Sequence, residues 1–504
     1  MMRIVATAVI CAVALVGARR DRAVAAQPTD WPMYLHDISR TSDNQADSAI
    51  SPFTAPHLAK VWSYKTGGIS AASPVVADNF VFIGSWDGYM YSLRAGTGQM
   101  QWRTYLGVTN QPAACTPPAA VGITSSATVD SGVVYVAGGG PYFYALDELT
   151  GAIRWQVFTG DNSTSGGHFD WSSPLVCNGY AYYGVASLCD TPLVQGQVLR
   201  INLTTHLGDG TFNVVPNTQV GGGVWGSPTI DPASNTLFFT TGNEDATASL
   251  PEPYARAIVA IDSNTMTFKS AWQNPFGVNG DNDWGPTPVL ITDINGRKLV
   301  TATSKDGNVY AFNRADLSTG PVWNTQIAWS GPDPTLGDGS LLVGVRWQQA
   351  LRRGRTFTLN SVNVPGTVAA LDPATSNVVW QRAPPGIVFA AVAFADRVFF
   401  DGGGANVEAR AASTGTVLYS YTTGGTIYGP PTIAEGRLYE GSTDGTVYAF
   451  APPAAVGGAA LAVNPASLPT TRSGSGGRCA AIVVAVALVL ASCGLALWRR
   501  RAAA

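Results

Sequence analysis

The sequence predicts an all-β fold: a closed β-propeller of about eight four-stranded blades, with an N-terminal strand closing the last blade and a C-terminal transmembrane helix. Three observations predict it. One phrase recurs at a mean spacing of roughly fifty residues. Each copy alternates apolar and small residues with period two between Gly, Asp or Asn turns, which is the pattern of half-buried strands. A spare Trp-containing strand ahead of the first copy supplies what the last copy lacks.

Taken in order, residues 1–26 read as a signal peptide. Arg3 gives a basic start, 4–16 is an apolar run too short to span a bilayer, and Ala23, Val24, Ala25 and Ala26 offer a small-residue cleavage site. Residues 27–56 are an N-terminal extension. The first copy opens at Ser73-Pro74-Val75-Val76, continues through Val81-Phe82-Ile83-Gly84, and turns at Asp87-Gly88. Its aromatic strand ends at Leu93, Gly96-Thr97-Gly98 turns the chain again, and Trp102 closes the copy. Further copies open near Ser126, Ser173-Pro174, Ser227-Pro228, Thr287-Pro288, Val343-Gly344, Val388-Phe389 and Pro430-Pro431.

The final copy stops at Tyr448-Ala449-Phe450 and never reaches its Trp strand, whereas residues 60–67, around Trp62, form such a strand with no copy of their own. Pairing the two joins the chain ends, so residues 57–451 should make one body. A lone four-stranded sheet leaves both faces uncovered, and radial packing covers them. Trp102, Trp155, Trp272, Trp323 and Trp380 read as packing anchors between blades. The Asp-Gly pairs at 87, 306 and 444 read as tight hairpin turns.

Residues 452–478, rich in Ala, Gly, Ser and Pro, read as a flexible stalk. Residues 479–498 are an uncharged apolar run long enough to cross a bilayer, followed by Arg499, Arg500 and Arg501 in a basic tail at 499–504. These ends predict export across the cytoplasmic membrane, anchoring by the C-terminal helix, and a propeller on the outer side. Leu468-Pro469-Thr470-Thr471-Arg472 resembles a cell-wall sorting signal, with Arg472 where that signal has Gly. Of the six cysteines, Cys115, Cys177 and Cys189 fall in the propeller; Cys115 and Cys189 sit in Pro-containing loops and Cys177 in a strand. The net charge of −3 and a charged fraction of only 12% exclude an electrostatic footprint for nucleic acid. The four His residues show no metal-ligand spacing, and no Cys-x-x-Cys-His haem site or Gly-x-Ser-x-Gly elbow occurs.

The repeated Ala-Leu-Asp, Thr-Gly and Trp wording resembles the blade motif of the quinoprotein alcohol dehydrogenase-like superfamily, and within it the polyvinyl-alcohol dehydrogenase-like branch. The resemblance implies pyrroloquinoline quinone and calcium on the propeller axis. Gly221-Gly222-Gly223-Val224-Trp225-Gly226 is similar to the strand whose Trp stacks under the quinone, which makes Trp225 the expected aromatic floor. Thr241-Gly242-Asn243 resembles the segment whose Asn ligates calcium. Asp281-Asn282-Asp283-Trp284-Gly285 resembles the segment carrying the catalytic Asp, with Asp283 as base and metal ligand, and Lys305 stands where a cation contacts the quinone oxygens.

Two departures accompany the likeness. The adjacent Cys-Cys pair of that family is absent, and where its calcium-binding Glu should fall the chain has Asp190 as substitute, with Gln195 in place of an Arg. The implied activity is oxidation of a small or polymeric alcohol, with electrons passed to a separate acceptor. The alternative is a non-catalytic propeller that serves as a surface scaffold or binds protein or polysaccharide.

Overall fold

The computed structural model describes residues 29–110, 119–216, 219–275, 283–327 and 367–453, and between the last two the strands at 334–337, 340–345, 357–359 and 362–364. Its strands form antiparallel sheets arranged about one axis. In the first, Val75–Ala77 is innermost, followed by Phe80–Gly84, Tyr89–Arg94 and Met100–Tyr105. The three inner strands are almost wholly buried, and the outer one alternates, with Trp102 turned inward. That gradient is the physical content of the repeated phrase: apolar runs lie between neighbouring sheets, and polar alternation lies where one face meets water. Val75–Ala77 touches Thr128–Asp130 on one side and Thr432–Ala434 on the other, so the ring closes. Ala59–Lys65 pairs with Thr446–Ala451, placing Trp62 opposite Ala449, so strands from both ends of the described chain share a sheet.

The expectation of eight regular four-stranded blades is corrected. Among the described residues seven sheets have the regular four strands, and one has five. In the exception, Tyr180–Ser187 is longer than its inner partner Leu175–Cys177, and His168–Phe169 pairs with its free end at Ala186 and Ser187. The surplus edge is thereby covered. The copy expected to open at Val343-Gly344 opens instead at Pro334–Gly337, and Val343 lies in the second strand, Ser340–Val345. The Ser-Pro or Thr-Pro opening of the copies at 73, 173, 227 and 287 is missing there, so the sequence offered no register.

The predicted transmembrane helix has no counterpart among the described residues. Among them the only helices are the three-residue turns Ala55–His57 and Leu317–Thr319, and no helix is long and apolar enough to cross a membrane. The membrane-anchored location predicted from the chain's ends has no support among the described residues. The signal peptide (1–26), nearly all of the stalk, the apolar run at 479–498 and the basic tail lie outside the described residues.

The Trp anchors act as expected and reach further than their own sheet. The indole Nε1 of Trp62, Trp102 and Trp380 donates at 2.8 Å to Ala95, Glu148 and Ala412 O, each on a turn of the next sheet. Trp323 does the same to Pro373 O at 3.0 Å. The glycines of those turns lie flat under the rings. A Cβ on Gly98 or Gly415 would sit 2.6 Å from the indole of Trp62 or Trp380, and both glycines have φ near +70°.

One such turn carries a buried acid. Glu148 is 4% exposed, and burial, reinforced by the neighbouring charge of Asp78, pushes its carboxyl up to about 7. Between its ordinary range near 4.5 and about 7 the folded chain holds a proton that the unfolded chain releases. This contribution to stability is therefore present below pH 4.5 and lost as pH rises through 7. Glu148→Gln should raise the melting temperature at pH 8 relative to the parent and leave it nearly unchanged at pH 4. Equal shifts at both values would show that proton linkage is not the cause.

Candidate active site on the propeller axis

Where the inner strands begin, side-chain hydroxyls link five successive sheets. Ser73 N donates to Ser126 Oγ, Ser126 N to Ser173 Oγ and Ser173 N to Ser227 Oγ, all at 2.9 Å, and Ser227 N donates to Thr287 Oγ1 at 3.0 Å. This belt explains the small residue before most of the strand-opening prolines. It ties the sheets together around the hub and uses the hydroxyls structurally. Above the belt lies a cavity of about 350 Å³. Its wall is aromatic, built from Trp86, Trp171, Trp225, Phe389 and Tyr428, and Tyr34 of the N-terminal extension also lines it.

Three of the sequence-predicted residues meet at one side of this cavity. The indole of Trp225 lies directly on Gly285, where a Cβ would fall 1.6 Å from Cη2, so only glycine permits the approach. Trp225 Nε1 donates to Asp283 Oδ2 at 3.1 Å, bridging 58 positions of sequence. Lys305 forms an ion pair with Asp283 Oδ1, and its Nζ stands 4.9 Å from the centre of the Trp225 ring. Asp283 is 2% exposed and the Lys305 side chain 16%, so the pair interacts in a poorly solvated setting where charge-assisted bonds are strong. Lys305 N also donates to Asp283 O at 3.2 Å, which fixes the two backbones.

Asn243 is held nearby through its main chain. Gly222 N donates to Asn243 O at 2.6 Å and Gly242 N to Gly223 O at 2.7 Å, so the glycine run and the Asn segment lie side by side. A Cβ on Gly242 would stand 3.5 Å from Asp283 Oδ2. Its absence leaves a cradle between Asn243 and the carboxylate. Asp190 is elsewhere in character: it is exposed and accepts a bond from Ser187 Oγ at 2.8 Å. Among the described residues no three acidic, His or Cys side chains converge as a metal group. Cys189 is disulfide-bonded, and Cys115, the other loop cysteine, lies outside the described residues. Cys177 is buried in its strand.

The segment His168-Phe169-Asp170-Trp171 also contributes to the site. Trp171 donates to Ser187 O at 3.1 Å and presents its ring to the cavity. Beneath it Asp170 is buried, accepts from Thr159 Oγ1 at 3.2 Å, and is pushed up to about 7 by burial. Trp86, Phe389, Tyr428 and Tyr34 were missed. Trp86 directly precedes the Asp87-Gly88 turn, Phe389 falls at a copy opening, and Tyr34 and Tyr428 carry no repeat signature.

Comparison with known proteins agrees with this architecture. The family profile described as outer membrane protein assembly factor BamB matches residues 53–179 and 364–455. A polyvinylalcohol dehydrogenase of Sphingopyxis sp. (strain 113P3) is 21% identical over 388 residues, covering 67% of this chain and 56% of its own length. The crystal structure of quinohemoprotein alcohol dehydrogenase from Comamonas testosteroni superposes with a TM-score of 0.67 at 18% identity, over 85% of this chain and 81% of that one. The chain is similar in sequence and fold to quinoprotein alcohol dehydrogenase-like propellers. It spans little more than half the length of the first of these curated relatives. The BamB structure from Moraxella catarrhalis, at a TM-score of 0.54 and 16% identity, covers 78% of this chain and 99% of that one, so the same propeller type is also found in an assembly factor.

Proposed function

We propose that the axial cavity binds pyrroloquinoline quinone and that the protein oxidises an alcohol. The observation that carries this reading is the Trp225–Asp283–Lys305 cluster at the cavity wall. The donor set fits a planar, electron-poor anion: an indole face to stack on, a lysine ammonium for its oxygens, and glycines that admit close approach. Trp225 would hold the ring, and Lys305 the carbonyl and carboxylate side. Asn243 and Asp283, on either side of the Gly242 cradle, would be two of the oxygen ligands of a calcium ion.

When bound, the quinone supplies the two-electron acceptor that takes hydride from the alcohol carbon. The chain's own residues do the rest. Asp283 takes the hydroxyl proton on Oδ1, the oxygen that now faces Lys305, while Trp225 Nε1 keeps Oδ2 oriented. The aromatic wall excludes water and offers the alcohol an apolar surface. The carbonyl product leaves, and electrons pass to a separate acceptor, since the chain has no haem-attachment motif.

The test is titration of the full chain with the quinone, with and without calcium, read by absorbance and tryptophan fluorescence. Saturable binding that Trp225→Ala weakens about tenfold or more is expected, given the value of an aromatic stack. No saturable binding in either condition would remove the enzymatic reading. The second reading, a protein-binding scaffold, is favoured by the assembly-factor profile and would then stand.

A further inference from the structure

Residues 29–50, expected only as an extension, cross the base of the axis. The segment has isolated bridges and no sheet of its own, and the innermost strands satisfy its backbone instead. Trp31 N and O pair with Val76 O and N at 2.8 and 3.0 Å. Val129 N donates to Pro32 O at 2.7 Å, Ile230 N to Ile38 O at 3.1 Å, Leu290 N to Ser39 O at 3.0 Å and Phe394 N to Ser42 O at 2.9 Å. Asn44 Nδ2 donates to Ile433 O at 2.9 Å. These partners belong to six different sheets. Val76, Val129, Ile230 and Leu290 each lie a few residues further along the chain than a belt residue that borders the cavity, so the segment lies on the opposite side of the belt from the cavity mouth.

Arg40 locks the crossing. It is fully buried, with Nε on Pro228 O at 3.1 Å and Nη2 on Pro174 O at 3.2 Å, the carbonyls that follow belt residues Ser227 and Ser173. Its guanidinium carbon stands 5.8 Å from the centre of the Tyr34 ring. A guanidinium is kept out of water only where its donors are met, so Arg40 marks a built contact and not a loose tail. Tyr34 is the residue of this segment that lines the cavity.

We propose that residues 29–50 are a plug that closes one end of the axis, and that Tyr34, braced by Arg40, is the floor that sets how deeply a ligand enters from the other end. The identity of that ligand rests on the quinone reading; the plug does not. Two measurements separate them. In the unaltered chain, amides of 29–50 should be as protected from hydrogen exchange as those of the blade strands; exchange at the rate of an unstructured tail would overturn the plug.

In Tyr34→Cys, a small charged thiosulfonate should label the new thiol in the folded protein, above the background of the unaltered chain. Pyrroloquinoline quinone at a hundred times its dissociation constant should slow that labelling about 100-fold. Labelling that the quinone does not slow would uphold the floor and discard the quinone reading. No labelling of the folded variant would overturn the floor. If Tyr34→Cys does not fold, the exchange measurement on the unaltered chain decides.

Discussion

Asp283→Asn should lower alcohol-dependent reduction of an artificial electron acceptor by about 10²- to 10⁴-fold, the usual contribution of a positioned general base. Quinone binding should stay within about threefold of the parent, because the stack on Trp225 and the ammonium of Lys305 remain. The amide oxygen of Asn can still accept from Trp225 Nε1, which now meets Asp283 Oδ2 at 3.1 Å. It cannot take a proton at pH 7, and it leaves Lys305 without its counter-ion. The two roles of Asp283 are therefore separable. If the carboxylate were only a partner for Lys305, the variant would lose thermal stability and retain turnover. Lys305→Met should show the converse pattern, with weakened quinone binding as its leading effect. Steady-state rates and a binding titration on the same preparations give both readouts.

The largest stability effect is expected far from the cavity. Asp401 and Glu408 face each other across neighbouring strands, and Arg410 bridges them, with Nε on Asp401 Oδ2 at 2.7 Å and Nη2 on Glu408 Oε2. All three are at most 3% exposed, and Arg410 Nη1 also donates to Gly415 O at 3.1 Å. Even beside Arg410, burial pushes the Asp401 carboxyl up to about 6. Arg410→Met would leave two buried carboxylates with no cation and should cost about 3–5 kcal/mol. Changing all three to apolar residues of similar volume should restore most of the loss, because the solvation penalty disappears together with the attraction. Chemical denaturation of the single and triple variants measures both. A loss below about 1 kcal/mol for Arg410→Met would mean that water reaches the site and screens it.

The blade pattern was legible because each strand's burial follows its own residues. Val133–Ala137 is buried along its whole length and reads as a continuous apolar run, whereas Met100–Tyr105 alternates and hides only Trp102 between polar neighbours. The misread sixth copy shows where this stops. With no Ser-Pro opening, nothing local says which of two successive apolar strands is innermost, and Pro334–Gly337 took that place. The extra strand His168–Phe169 was hidden for a similar reason: two residues carry no period. Trp225, Asp283 and Lys305 were found by likeness to a family, and their mutual contact was not deducible from spacing. Asp190, chosen by the same likeness, is exposed and accepts a hydrogen bond from Ser187 Oγ.

The sequence by itself determined that the chain is built from repeated, period-two sheets anchored by tryptophans, because alternation and turn chemistry are properties of short stretches. Only the tertiary structure decided that the hydroxyl belt encircles a hub, that an aromatic cavity stands above it, and that Tyr34 and Arg40 close its base. Those features depend on distances between residues as much as 389 positions apart, such as Asn44 and Ile433. They arise when sheets that each have an uncovered face are forced to share one axis, and no local pattern encodes where that axis will pass.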